Sequence, residues 1–516
     1  MLSLLLTLLA AAAISGGTYT NPILFSDYSD PDVIRVGEDY WMTASSFTCL
    51  PGLQILHSTD LVNWEIVNAA VPRLSPSEEF DSPSHGNGIW APCIRYFNDK
   101  YWIFWGDPDF GIFQINTSDP MGRWSEPHLV MAGKGLIDPS PLLDDDGRIY
   151  LVHGYAGSRF GFKSILCACE LNADCTEVIT DQVLVFDGKR TGNPTVEGPK
   201  FYKKDGYYYI FAPAGGVKEG WQLVMRSKNV YGPYEHRIVM HQGDTDIHGP
   251  HQGGWVTDVK GDSWFIHFED RYAWGRVCHL QPLEWTNDGW CIIGMDDNGD
   301  GIGEPVSEYR LPTGKSDCSG GNVSALATST GFTGTSIPLN WQWEANPKAG
   351  WFMMNPSDGC IRLNCIKSPD GWKNLRDTPN ILAEKVVGPK TSFTTRMTFS
   401  PSYPSDRAGI VVTGLDYSTL EADFDGKEIS LVRKVCTEGS SEEVVFCEKA
   451  ASYTLWLRVE IEGDCICTFS YSTDGRHFKK AGTEFKAREG KWIGAKIGLF
   501  AISDIKKNDG GSAEFH

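Results

Sequence analysis

A hairpin pattern that returns five times constrains this chain most. The segments are DPDVIRVGEDYWMTASSF, WAPCIRYFNDKYWIFWG, DPSPLLDDDGRIYLVHG, EGPKFYKKDGYYYIFAPAGG and HQGGWVTDVKGDSWFIHFED. Each opens on a polar or aromatic residue and runs through an apolar strand. It then turns at an acidic Gly/Asp/Asn step and comes back as an aromatic strand. This is the periodicity of strands, not helices. Nine positions separate lead residue from turn in four segments: Asp30 to Asp39, Trp90 to Asp99, Asp138 to Gly147 and Glu197 to Gly206. In the fifth, His251 to Gly261, the separation is ten. The leads lie 48 to 60 residues apart, the spacing of four-stranded propeller blades. HSTDLVNWE, NTSDPMGRWSEP and RSKNVYGPYEH each place a Ser/Asx turn before an aromatic, as expected between the outer strands of a blade. The chain is therefore expected to be all-β, with a five-bladed β-propeller over residues 19–311.

A propeller gathers its inner strands around one axis, so residues at one register meet there. Three carboxylates (Asp30, Asp138, Glu197), the Trp90 indole and the His251 imidazole would converge. Singly, Asp-Pro or Glu-Gly-Pro is ordinary turn chemistry. Three acids in register point to a site. Cleavage of a glycosidic bond needs one carboxyl to protonate the leaving oxygen and one carboxylate to activate water or attack carbon. A third acid beside the proton donor would raise the donor's pKa by like-charge repulsion. Acids on different blades leave room for a water, which favours inversion of configuration.

Composition narrows the partners. Lys and Arg number 46 against 66 Asp and Glu, a formal −20, which excludes a phosphate-backbone partner. Eighteen Trp and nineteen Tyr offer flat faces on which sugar rings stack. MLSLLLTLLAAAAISGG reads as a secretory signal over residues 1–16, although no Lys or Arg precedes its apolar run. No later run suits a membrane span. Fourteen cysteines show no zinc-ligand spacing, and Cys167/Cys169 and Cys465/Cys467 would share strand faces. Buried free thiols with a few disulfides are expected. Asn116 and Asn322 are glycosylation sequons. DDNGDG, from Asp296, opens like a calcium-binding EF-hand loop, but Ser307 stands where that loop needs Glu, so a turn is expected.

Residues 312–335 are rich in Gly, Ser and Thr and read as a linker. Residues 336–516 alternate short strands with turns, the pattern of a β-sandwich.

Six motifs in order, NPILFSDYSDPDVIRVGEDYW, GLQILHSTDLVNW, GIWAP, DPSPLLDDDGRIYLVHG, VEGPKFYKKDGYYY and GPHQGGW, resemble glycoside hydrolase family 43. That family implies a propeller of inverting enzymes acting on xylans, arabinoxylans and arabinans. The resemblance implies Asp30 as general base, Glu197 as general acid, and Asp138 as the acid that tunes Glu197 and holds the sugar. Arg276, in WGRVCHLQ, would bind the sugar and fork onto Asp138. Trp90 and Phe47 would wall the sugar subsite. His251 matches a histidine facing a calcium ion or water cluster in the channel, so calcium held mostly through water is the one cofactor expected, with no organic cofactor. The second domain resembles the concanavalin A-like, jelly-roll domain of family 43 β-xylosidases, whose loop can help wall the site. AEFH falls where that domain is expected to run on through a final strand.

The implied activity is a secreted (extracellular or periplasmic) exo-acting β-1,4-xylosidase working on xylo-oligosaccharides. An α-L-arabinofuranosidase on arabino-oligosaccharides is the close rival. A non-catalytic carbohydrate-binding protein is a third reading, and three acids in register speak against it. No nucleic-acid or membrane partner is expected.

Overall fold

The computed structural model describes residues 17–312, 326, 331–505 and 510–516. The expected signal peptide, Asn322 and most of the expected linker lie outside the described residues. Five four-stranded antiparallel sheets follow one another in simple chain order. Their inner strands are Asp32–Val36, Trp90–Phe97, Leu136–Leu143, Lys200–Lys204 and His251–Thr257. This is the five-bladed β-propeller that the repeat predicts.

The aromatic returning strands explain how blades stack, because alternate side chains reach opposite faces of a sheet. Between blades one and two lie Trp41, Ile55, Ile94, Ile103 and Trp105. Phe211, Phe265 and Trp290 fill the gap between blades four and five. The outer turns are built as expected: Ser58 Oγ accepts from the amides of Asp60 (3.1 Å) and Leu61 (3.0 Å), and Trp64 Nε1 donates to Leu61 O at 2.9 Å. DDNGDG is a turn whose Asp296 carboxylate accepts from the amides of Gly299, Asp300 and Gly301. Thr18–Thr20 pairs with Glu308–Arg310, and the Tyr28 amide donates to Arg276 O at 2.9 Å, so the first segment lies against blade five and closes the ring.

Below the lead residues the axis is filled by a buried polar network. Asp32 Oδ2 accepts from the Ile94 amide (2.8 Å) and Arg95 Nη1 (2.7 Å). Arg95 Nη2 donates to Ser140 Oγ (3.2 Å), which accepts from the Phe201 amide (2.9 Å). Lys200 Nζ donates to Pro92 O at 2.8 Å, and the Trp255 amide donates to Tyr202 Oη at 3.0 Å. One residue from each blade is thereby tied to a neighbour. Asp32, the first residue of its inner strand, anchors this network. Asp32→Ala should destabilise the protein by about 3–5 kcal/mol, because it leaves the Arg95 charge buried and unpaired. Calorimetry of the variant checks this, and an unchanged melting temperature would rule it out.

The second unit is a β-sandwich of two eight-stranded sheets. One runs from Gln342–Trp343 through Lys496–Ser503 to Glu443–Lys449, the other from Phe352–Asn355 through Lys390–Ser400 to Lys479–Lys480. Ser512–Phe515 is paired on both sides, by Cys360–Asn364 and Lys390–Ser400. The facing sheets bury Met397, Ile410, Leu457, Val459 and Leu499. The sandwich docks firmly on the propeller. Leu50 and Trp343 exchange backbone hydrogen bonds of 2.9 and 2.6 Å, and the Ala495 amide donates to Ala273 O at 2.7 Å.

The expected few disulfides are not found: among the described residues all thirteen cysteines are free, and twelve of them are buried. Their thiols act as small apolar side chains inside the cores, such as Cys169 between blades two and three and Cys467 in the sandwich.

Candidate active site

Asp30, Trp90, Asp138, Glu197 and His251 line one cavity of about 560 Å³ at the end of the propeller axis. The backbone shows how each is aimed. At or just after every lead position stands a residue with positive φ: Asp30 (55°), Ala91 (39°), Asp138 (57°), Gly198 (58°) and Gln252 (33°). In blades two, three and five the strand register also slips there, at Trp90/Cys93, Ile137/Ser140 and His251/Gly253. A bulge with a left-handed residue bends the strand and redirects its side chain. Gly198 is the one glycine of the five, and a Cβ on it would sit 2.5 Å from Gln252 Cδ.

Asp30 is held by hydroxyls. Ser45 Oγ donates to its Oδ2 at 2.6 Å and Ser29 Oγ at 2.9 Å. Arg276 Nη1 lies 3.5 Å from its Oδ1 and donates to Ser29 Oγ at 2.7 Å. The expected fork from Arg276 onto Asp138 is not formed: among the described residues its ion pairs are to Asp30 and Asp270. Ring closure accounts for this. Arg276 opens the third strand of blade five, which lies against the Asp30 segment, whereas Asp138 stands on blade three.

Asp138 Oδ2 accepts from the Gly198 amide at 2.7 Å, so it fixes the peptide that follows Glu197. Burial, then the charge of Glu197, push its carboxyl up to about 8, and Asp30 adds a smaller push. Repulsion was expected to act on the proton donor. On Asp138 itself burial is the larger cause, ahead of repulsion from Glu197. Asp138 is 5 % exposed, while the Glu197 side chain is 32 % exposed. Asp138 is tied to the Glu197 loop through the Gly198 amide, whereas Asp30 is held by Ser29, Ser45 and Arg276.

The raised value makes a stability prediction. Between about pH 4 and 8 the native state binds a proton at Asp138 that the unfolded chain releases, so this residue costs stability as pH rises. Asp138→Asn keeps an acceptor for Gly198 and removes that cost. The variant should be more stable than the parent at pH 9, by on the order of 5 kcal/mol, and so melt higher, with a smaller gap at pH 5. Melting curves at both pH values test this, and a gap that does not change with pH would refute it.

His251 is buried, with Nε2 3.1 Å from Glu197 Oε1 and Nδ1 unpartnered. It therefore orients the carboxyl beside it. Calcium at this point would have to be held mostly through water. His251 offers a single nitrogen, and among the described residues the one grouping of His, Cys and acids at metal-ligand distance is Cys360, Glu514 and His516, in the sandwich. Calcium wants six to eight oxygens, so these residues make no protein cage for it.

Trp90 and Phe47 line the cavity. Trp90 Nε1 donates to Gly86 O at 2.8 Å, and the Phe47 amide donates to Ile89 O at 3.0 Å. Several residues were not foreseen individually: Ser29, Ser45, Tyr155, Gln252 and above all Trp492. Trp492 comes from a sandwich loop, and its ring centroid lies 6.3 Å from that of Trp90. A wall from the second domain was expected, but WIG carries no signal that singles out this indole.

Comparison with known proteins gives the same picture. Residues 19–291 match the model of glycosyl hydrolases family 43, and residues 329–516 match the β-xylosidase C-terminal concanavalin A-like domain. A Xylanibacter ruminicola protein assigned by name to the β-xylosidases is 35 % identical over 93 % of this chain and 86 % of its own. A β-xylosidase of Formosa agariphila is 29 % identical over 96 % and 89 %. A non-reducing end α-L-arabinofuranosidase of Bacteroides ovatus is 26 % identical over 83 % and 80 %. The crystal structure of a family 43 protein from Bacillus licheniformis, 27 % identical, superimposes with a TM-score of 0.82 over 97 % of this chain and 98 % of its own.

Proposed function

The chain belongs to glycosyl hydrolase family 43, and from that premise we propose that it is an inverting, exo-acting β-1,4-xylosidase that removes single xylose units from xylo-oligosaccharides. That it is a glycoside hydrolase with a carbohydrate substrate follows from the family. The observation that carries the finer reading is the shape of the site. The cavity is walled by Trp90 and Phe47 of the propeller, and Trp492 of the sandwich adds a further wall beside Trp90. A pocket walled from both domains favours a chain end over cleavage in mid-chain.

In this reading Glu197 donates its proton to the glycosidic oxygen. Asp138 holds the Glu197–Gly198 peptide, and His251 orients the Glu197 carboxyl. Across the axis Asp30, fixed by two serines and Arg276, takes a proton from the water that attacks the anomeric carbon. The hydroxyl and guanidinium donors hold the Asp30 carboxylate in place. Trp90 and Phe47 would pack against the sugar.

An α-L-arabinofuranosidase is the second reading, favoured by the Bacteroides ovatus relative. Comparing kcat/KM on p-nitrophenyl β-xylopyranoside and p-nitrophenyl α-L-arabinofuranoside separates the two. The xyloside is expected to be preferred, and a strong preference for the arabinofuranoside would reverse the assignment. Export is also proposed, from the apolar run MLSLLLTLLAAAA. Protein recovered outside the cell should begin close to Gly16, and an intact Met1 terminus would contradict export.

A further inference from the structure

Two loops of blade three frame the mouth of the pocket. In the first, the rings of Tyr155, Phe160 and Phe162 lie 5.0 to 5.2 Å apart, and Phe160 and Phe162 are exposed. Next to this aromatic shelf stand Lys163 and, from the second loop, Lys189; both are exposed and both line the cavity. The neighbouring arginines are occupied: Arg159 pairs with Asp109 at 3.1 Å, and Arg190 with Asp187 at 3.2 Å. The two lysines are not. Lys163 Nζ donates to Thr195 Oγ1 at 3.1 Å, and among the described residues neither ammonium has a carboxylate partner. Acids outnumber bases 66 to 46 in this chain, so two unpaired cations at the rim of an acid-floored pocket need an explanation.

We propose that Lys163 and Lys189 recognise a carboxylate on the leaving-group side of the substrate, so that the pocket accepts xylo-oligosaccharides branched with a uronic acid next to the scissile bond. The proposal rests on the glycosidase reading above and names its substrate more narrowly. A uronic acid matches both features of the mouth. Its pyranose ring has apolar C–H faces for the Phe162 shelf, and its carboxylate suits two ammonium groups. Neutral xylose needs neither lysine.

The test is calorimetric binding to the Glu197→Gln variant. The ligands are xylotriose and xylotriose carrying a glucuronic acid branch on its middle residue. Adding Lys163→Gln and Lys189→Gln should weaken binding of the branched ligand about five- to thirtyfold while leaving unbranched xylotriose within about twofold. Raising the salt to about 0.5 M should erase most of the advantage of the branched ligand, since exposed charges are screened. If the lysine substitutions weaken both ligands equally, or neither, the proposal is overturned. Turnover of unbranched xylotriose by the parent enzyme reports separately on the xylosidase reading, so the two failures are distinguishable.

Discussion

Glu197→Gln is expected to slow hydrolysis of xylobiose by about 10²–10⁴-fold while leaving sugar binding intact. The size of the loss should depend on the leaving group. A departing sugar hydroxyl needs a proton, whereas p-nitrophenolate leaves without one. Activity on the p-nitrophenyl glycoside should therefore fall far less than activity on xylobiose. The amide is close in shape to the carboxyl and stays within reach of His251 Nε2, which lies 3.1 Å from Glu197 Oε1 in the parent. Lost activity with retained binding thus reports on the proton. Equal losses on both substrates would remove Glu197 from the role of acid.

Asp30→Asn should cost a similar factor, about 10²–10⁴, with the opposite signature. Activation of water is indifferent to the leaving group, so xylobiose and the p-nitrophenyl glycoside should lose activity in parallel. The substitution keeps an acceptor for Ser29 and Ser45, so the pocket should hold its shape. A loss confined to xylobiose would contradict the assignment of Asp30 as base. Together the two variants separate acid from base without relying on the magnitude of either.

Much of this architecture was legible in the residues. The step from Asp30, Trp90, Asp138 and Glu197 to their turns is nine residues and from His251 ten; this near-regular step reports blade register, and register decides what meets at the axis. Relations between strands distant in sequence were not legible. The orientation of Arg276 toward Asp30 depends on how blade five closes against the first segment, and a GR dipeptide says nothing of that. The raised pKa of Asp138 depends on its burial, which register leaves open. Trp492 reaches the cavity only because the sandwich docks through Leu50–Trp343 and Ala273–Ala495. The left-handed residues at the strand entries escaped notice for a local reason. Only Gly198 advertises positive φ by its chemistry, while Asp30, Ala91, Asp138 and Gln252 adopt it under tertiary constraint.

In the proposed mechanism Asp30 and Glu197, presented by different blades, act as base and acid on opposite sides of one sugar with a water between them. Proton NMR of the first sugar released from a β-xyloside, recorded before mutarotation, tests this most directly. α-Xylose is expected as the initial product, since the water must enter opposite the departing group. Initial β-xylose would mean a covalent intermediate and would contradict the mechanism.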